Sequence, residues 1–387
     1  MTTADVAVIG LGAMGSAALY QLARRGMKAI GIDRFDPPHD RGSSHGETRI
    51  TRQAIGEGAE YVPLVLRSHA IWRELEAQSG ECLLHAVGGL ILAGERAEGR
   101  HHAKPDFLGT TVATARQFGI AHEVLSAEQI AERFPQLILQ GDEQGYYEPG
   151  AGFVLPEKCI EVQLTLARRM GAGVFTGERV LRLEPTPGGL TVHTSRARYA
   201  VGRVVLSAGA WVREFLPLEA FRVHRQVLYW FEPEDPALYA PERFPVFIWL
   251  HGPGEDGHFY GFPMLQGSAG VKLAGEQFSR ESDPDQVEHT VSSEQIGFIY
   301  RHHVAPRLRA LGPRCTRTAA CLYTSTPDGG FVLDWHPELP GVFVVSPCSG
   351  HGFKHSAGLG EAIAQVIAEG RSAVSLEPFS LARFAKR

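Results

Sequence analysis

The chain has 387 residues, 38 Lys and Arg against 43 Asp and Glu, and a formal net charge of −5. Its length suits two domains or one large α/β unit with an insertion, and its mild acidity argues against a nucleic-acid or membrane-surface partner. Five scattered cysteines (Cys82, Cys159, Cys315, Cys321, Cys348) without a CxxC pair argue against a disulfide scaffold and a zinc site, and suit a reducing cytoplasm. No apolar run approaches a membrane span, and the early entry into a strand leaves a signal peptide no room. No metal is expected.

The first predicted element is the apolar strand Asp5 to Gly10. Gly10-Leu11-Gly12-Ala13-Met14-Gly15 follows as G-x-G-x-x-G, then a helix with Met14, Ala18 and Leu22 on one face, then a second strand from Lys28 to Ile32 that ends in Asp33. Strand, Gly turn, helix, strand and acid in this order describe a dinucleotide site. Gly10 permits the tight turn, Gly12 lets backbone approach a pyrophosphate, and Gly15 lets helix and strand pack closely. The helix N-terminus offers free N–H groups to the phosphates. Asp33 is placed to accept from a ribose diol, which favours FAD or NAD over NADP and does not choose between them.

Residues 34–52 read as a loop rich in Pro, Gly, Ser and Arg. A solvated loop is the plainer reading. Arg34, Ser43 and Ser44 nevertheless follow a strand end that borders the crevice in an open α/β sheet, with His45, Thr48, Arg49 and Arg52 close behind. Glu60 to Gln78 has a helical apolar face, Val87 to Leu92 reads as a strand, and Ser126 reads as a helix N-cap. Pro156 opens a helix to Met170. Short strands follow at 174–175, 180–183 and 190–192. Arg203 to Trp211 is a buried-strand pattern ending in small residues, Ala208 and Gly209 among them, which allow backbone close to a ligand.

Residues 221–290 alternate aromatic and polar positions, as antiparallel strands do. Ser292 to Leu311 reads as a helix. Strands follow at 320–323, 331–334 and 342–345. Ser349 to Lys354 is a second Gly-rich turn, with Gly350, Gly352 and Phe353, and it leads into a helix from Ser356 to Glu369. Strand, Gly turn and helix thus occur at both ends of the chain. The expected fold is α/β: a Rossmann-like cofactor domain from 1–80, 150–215 and 315–387, with an antiparallel-sheet substrate domain from 81–149 and 216–314 inserted.

Four segments carry a family likeness: Gly42 to Arg52, Tyr260 to Pro263 with Lys272, Cys321 to Asp328, and Ser349 to Lys354. In order and spacing they resemble the monomeric sarcosine oxidase family, which includes N-methyltryptophan oxidase. The resemblance implies a glutathione-reductase-like FAD fold and oxidation of a secondary amine bearing a carboxylate, with oxygen as acceptor. A cytoplasmic monomer is expected. By position, Cys321 matches the cysteine bonded to the flavin, Arg52 and Lys354 the pair that grips the substrate carboxylate, and Lys272 the lysine that activates oxygen. His45, Thr48, Arg49, Tyr260 and Tyr323 match residues lining the flavin or substrate cavity.

The chemistry suits those types. A desolvated carboxylate needs charge-assisted partners. A fixed cation stabilises charge developing on oxygen. A flavin tether needs a thiolate. Without the likeness, Lys272 reads as a strand lysine with its amine in water and Cys321 as a core thiol. Glu276 departs from the family, where many members have histidine; an acid there favours a cationic portion of the substrate and disfavours a second carboxylate. His355 departs from the usual Phe. The alternatives are an FAD-dependent dehydrogenase of a cyclic or glycated amino acid, an NAD- or quinone-linked dehydrogenase on a similar fold, and a flavin-binding relative without turnover.

Overall fold

The computed structural model describes residues 2–95, 97, 101–102 and 104–384. A parallel sheet runs in the order Gly173–Phe175, Ala29–Ile32, Thr2–Ile9, Arg198–Leu206, Val342–Ser346. Val6, Ala7 and Val8 at its centre have no exposed surface, as an apolar strand covered on both faces requires. The strand Arg198–Leu206 shares one edge between two partners. Its first half takes the hairpin Val180–Thr186 and Gly189–Thr194, and its second half takes Val342–Ser346. The strand Val332–Trp335 closes that edge antiparallel.

The helices Ala13–Arg24, Val62–Ser79, Pro156–Arg169 and Ser356–Glu369 pack together beside this sheet. The last of these lies against the first at Gly360, where a Cβ would meet the Ala17 carbonyl carbon at 2.6 Å. The helices that follow the N- and C-terminal Gly turns therefore pack directly on each other.

A second sheet has eight strands in the order 311–325, 222–233, 271–274, 258–261, 246–250, 89–93, 144–148 and 123–125. All neighbours are antiparallel except 246–250 with 89–93. Period-two alternation divides its residues. Tyr229, Phe231, Val271 and Leu273 enter an aromatic core with Phe247, Trp249 and Phe259. Leu228, Trp230, Ala274, Cys321 and Tyr323 cluster on the other face, with Tyr260 against them. Trp230 pairs with Lys272, and Tyr260 with Ala274. Register alone thus puts Lys272, Tyr260, Cys321 and Tyr323 on one face.

Two expectations change. The helix expected from Ser292 to Leu311 is α-helical only over Ser293–Ile299, loosens over Tyr300–Val304, and gives way to a strand at Leu311. Pro306, which has no N–H to continue the ladder, and Ala310, with a φ of 53°, explain the break. The strand expected at 320–323 runs over Leu311–Ser325 and pairs with Arg222–Pro233. Residues 315–325 therefore stand on the second sheet, where the sequence boundary at 315 had put them with the first. Their outer half is an exposed edge with charged residues, so it lacks the apolar alternation that marks a strand. Among the described residues no helix is long and apolar enough to cross a membrane.

Candidate active site

A long cleft of about 1310 Å³, counted to its open mouth, runs from the first sheet to the second. Gly10, Gly12, Ala13, Met14, Asp33, Arg34, Ser43, Ser44, Arg49, Ala208, Gly209, Tyr323, Gly350, Gly352 and Phe353 line it. Gly15 lies behind the lining. A Cβ there would meet the Gly10 carbonyl oxygen at 1.7 Å, so its absence lets the helix start against the turn. Gly12 is the N-cap of that helix and brings no side-chain cap. In its first turn Ala13 N donates to Ser44 Oγ at 3.3 Å, and the N–H groups of Met14 and Gly15 behind it are the ones left to meet an anion. Asp33 is buried, which raises its pKa, and its oxygens accept from Leu11 N at 2.6 Å and Phe35 N at 2.8 Å. Arg34 lies 4.8 Å over Trp211 at the same end. This small-residue cradle, with an acid and a free helix terminus, fits the adenosine and pyrophosphate parts of FAD.

The loop after Asp33 is tied down from three sides. Glu157 accepts from Gly46 N at 2.6 Å. Arg49 donates to the Ser43 and Thr48 carbonyls at 2.8 and 2.9 Å. Lys272 Nζ lies 2.7 Å from the Gly46 and Thr48 carbonyls and 3.1 Å from Thr48 Oγ1. Lys272 is buried, so its amine is not in water. Burial, with Arg49 beside it, pushes its pKa well below the usual lysine range. Against that, its three acceptors match the three N–H donors of an ammonium. His45 is held neutral, its pKa lowered to about 4 by burial and Arg49.

Cys321 is buried on the sheet face and does not reach the lining, whereas Cys348 does. Burial raises the Cys321 thiol pKa, and Arg49 and Lys272 oppose it. Tyr260 and Tyr323 place their hydroxyls 3.4 Å apart.

Next to this face lies a buried, charged chamber. Arg52 donates to Glu57 Oε2 at 2.6 Å and to the Ala54 carbonyl at 2.6 Å. Glu148 fixes the chain there by accepting from Gln53 N and Ala54 N. Lys354 donates to the His351 carbonyl at 2.8 Å and lies 3.5 Å from Glu57 Oε1. Burial lowers the Lys354 pKa to about 8, with Glu57 opposing. Burial works against the Glu57 charge, yet Arg52 and Lys354 hold its carboxyl well below the usual range. His102 bridges Glu57 and Glu276, with Nδ1 3.0 Å from one and Nε2 3.2 Å from the other. Burial disfavours its charge, but the two acids outweigh burial and raise its pKa to about 9.

Glu276 is thus already partnered. Its oxygens take His102 and, at 3.3 Å, His258 Nε2, so the acid is compensated from within rather than left for a cationic substrate. His101, His258 and Glu276 bring ligand-type atoms within 4.8 Å of one another, and the hydrogen bonds already occupy both Glu276 oxygens. His355, next to Lys354 in the chain, is fully buried, and burial and the Lys354 charge hold it neutral.

The sequence reading missed Glu57, His101, His102 and His258. The first lies five residues from Arg52, close enough for a chain reversal to pair them, and that spacing is the one available signal. The histidines come from loops and strands without a motif.

A model of the FAD dependent oxidoreductase family matches residues 5–366, and this defines the class. Within it, the chain belongs to the family of monomeric sarcosine oxidase and N-methyl-L-tryptophan oxidase. It is 36% identical to monomeric sarcosine oxidase of Streptomyces avermitilis, over 99% of this chain and 98% of that protein. It is 33% identical to N-methyl-L-tryptophan oxidase of Yersinia pestis, over 98% and 99%. Among solved structures, NikD, an unusual amino acid oxidase essential for nikkomycin biosynthesis, shares the fold with a TM-score of 0.84 at 24% identity, covering 98% of both chains. Glycine oxidase of Geobacillus kaustophilus does so with a TM-score of 0.77 at 21% identity, covering 98% and 99%.

Proposed function

We propose that this chain oxidises a sarcosine-like secondary amine, an N-methyl or N-alkyl amino acid with a free carboxylate, to the imine. Oxygen receives the electrons and becomes hydrogen peroxide. The charge of the chamber carries this reading. Arg52 and Lys354 converge on the single carboxylate of Glu57, and His102 bears on the same group. A substrate carboxylate that takes the place of Glu57 on Arg52 and Lys354 gains charge-assisted partners in return for its water. The curated relatives are named for sarcosine and N-methyl-L-tryptophan, both secondary amines that bear a carboxylate.

In this reading Arg52 and Lys354 exchange Glu57 for the substrate carboxylate, and His102 remains to compensate Glu57. Tyr260 and Tyr323 wall the chamber on its sheet side and exclude water. Bound FAD would supply the two-electron acceptor for the substrate and the donor to oxygen. The Gly10–Gly15 turn, Asp33, Arg34, Ser43, Ser44, Thr48, Arg49, Ala208, Gly209 and the turn from Gly350 to Lys354 would hold it in a glutathione-reductase-like manner, with Cys321 as the covalent tether. Lys272 stabilises negative charge developing on oxygen. The imine hydrolyses to a primary amino acid and an aldehyde: glycine and formaldehyde from sarcosine. We place the enzyme in the cytoplasm, a reading supported by its five unpaired cysteines, and as a monomer, a reading supported by the name monomeric sarcosine oxidase that its relatives carry.

The test is peroxide release from the purified holoenzyme over sarcosine, larger N-methyl amino acids, pipecolate and fructosyl amino acids. Turnover of at least one N-methyl amino acid is expected. No turnover on any secondary amino acid sinks the reading.

A further inference from the structure

We propose that His102 is a specificity-determining residue: its ring closes the chamber to bulky Cα side chains, so that the enzyme takes small N-methyl amino acids of the sarcosine class. The inference rests on the oxidase reading above and names its substrate class.

His102 lies between the strand Gly89–Ala93 and the helix Phe107–Gln117, and its φ of 47° is in the left-handed region that disfavours a non-glycine residue. Contacts at the ring must offset that conformation. They are the two carboxylates, which come from separate parts of the chain: Glu57 follows the Arg52 loop, and Glu276 follows the strand Val271–Ala274. The ring also stands 5.0 Å from His351. A Cβ built on Gly350 would lie 2.8 Å from His102 Nε2, 3.0 Å from Tyr323 Cε2 and 3.1 Å from Glu276 Oε1. The imidazole therefore fills the space between the Arg52–Lys354 end and the wall of Tyr323 and Glu276.

A carboxylate held by Arg52 and Lys354 sets its Cα beside that ring. Sarcosine presents only hydrogens there. An indolylmethyl group would have to expel a ring held by two buried acids. The two named relatives differ in this substituent, and at 36% and 33% identity overall similarity does not choose between them.

The experiment measures kcat/KM of the holoenzyme for sarcosine and for N-methyl-L-tryptophan. Wild type is expected to favour sarcosine, and His102→Ala to move the ratio toward N-methyl-L-tryptophan by about tenfold or more, the scale set by adding pocket volume. His102→Gln keeps the bulk and a donor without the charge, and should keep the wild-type ratio. If His102→Ala does not fold because both acids lose their cation, the double variant His102→Ala/Glu276→Gln removes one of them and is read the same way. An unchanged ratio in the alanine variants overturns the proposal, as does a Gln variant that relaxes as far as Ala. Wild type preferring N-methyl-L-tryptophan overturns it while leaving the oxidase reading standing. Wild type inert on every secondary amino acid overturns both.

Discussion

Lys354 is subject to opposing influences. Burial favours the neutral amine and Glu57 favours the ammonium, with a resulting pKa of about 8. Only the ammonium attracts a carboxylate. On the proposed role of Lys354, the grip on the substrate carboxylate is intact below pH 8, and the free enzyme loses it as pH rises through 8. kcat/KM is therefore expected to be flat below about 8 and to fall above it. Bound substrate stabilises the ammonium, so the break in kcat should lie higher. A charged hydrogen bond of about 1.5–3 kcal/mol sets a loss of roughly ten- to a hundredfold. Lys354→Arg keeps its charge over this range and should abolish the break; a break that persists in that variant removes Lys354 from the carboxylate site. Lys354 and Arg52 were legible because they sit in recognisable motifs. Glu57 and His102 were not, because what defines them is a shared buried volume, and no local pattern records which distant charges meet there.

At the scale of elements, the Ser356–Glu369 helix was readable to the residue, since its apolar period, its entry from a Gly turn and Gly370 beyond its end all agree. The strand Leu311–Ser325 was readable only in its buried half, because an edge strand shows water the residues a loop shows. The close crossing of the terminal helices gives a sharper test. Alanine gains about 1 kcal/mol over glycine in a helix interior. At Gly360, however, a Cβ would lie 2.6 Å from the Ala17 carbonyl carbon and 2.8 Å from its oxygen, and backbone cannot swing aside as a side chain can. Overpacking of about 1–3 kcal/mol or more is expected to win. Gly360→Ala should lower the denaturation midpoint. Gly297→Ala, whose Cβ would meet only the flexible Arg301 side chain, should leave it unchanged or raise it. Equal effects at both sites would show that the crossing has room to relax.

Over the whole molecule, the cleft joins two sheets that the chain builds separately. The fingerprint that was plainest in the sequence stands at one end, and Cys321 stands near the other on a strand of the second sheet. A cofactor held at both ends, as proposed, would be part of the folded body, and its loss would remove contacts from each sheet at once. The cysteine that makes such a tether needs thiolate character. Burial raises the pKa of both Cys321 and Cys348; the cations Arg49 and Lys272 oppose it at Cys321, whereas hydrogen bonds from Thr324, Gly350 and Ser43, and then Arg49, oppose it at Cys348. Neighbouring cations thus favour Cys321, and hydrogen bonding and position on the lining favour Cys348. Acid precipitation of the holoenzyme decides between them. Yellow colour is expected to stay with the wild-type and Cys348→Ser pellets and to move to the supernatant for Cys321→Ser. Colour retained by Cys321→Ser and lost by Cys348→Ser would assign the tether to the lining thiol. Colour lost from the wild-type pellet would leave the cofactor held by the fingerprint and the Gly turns alone.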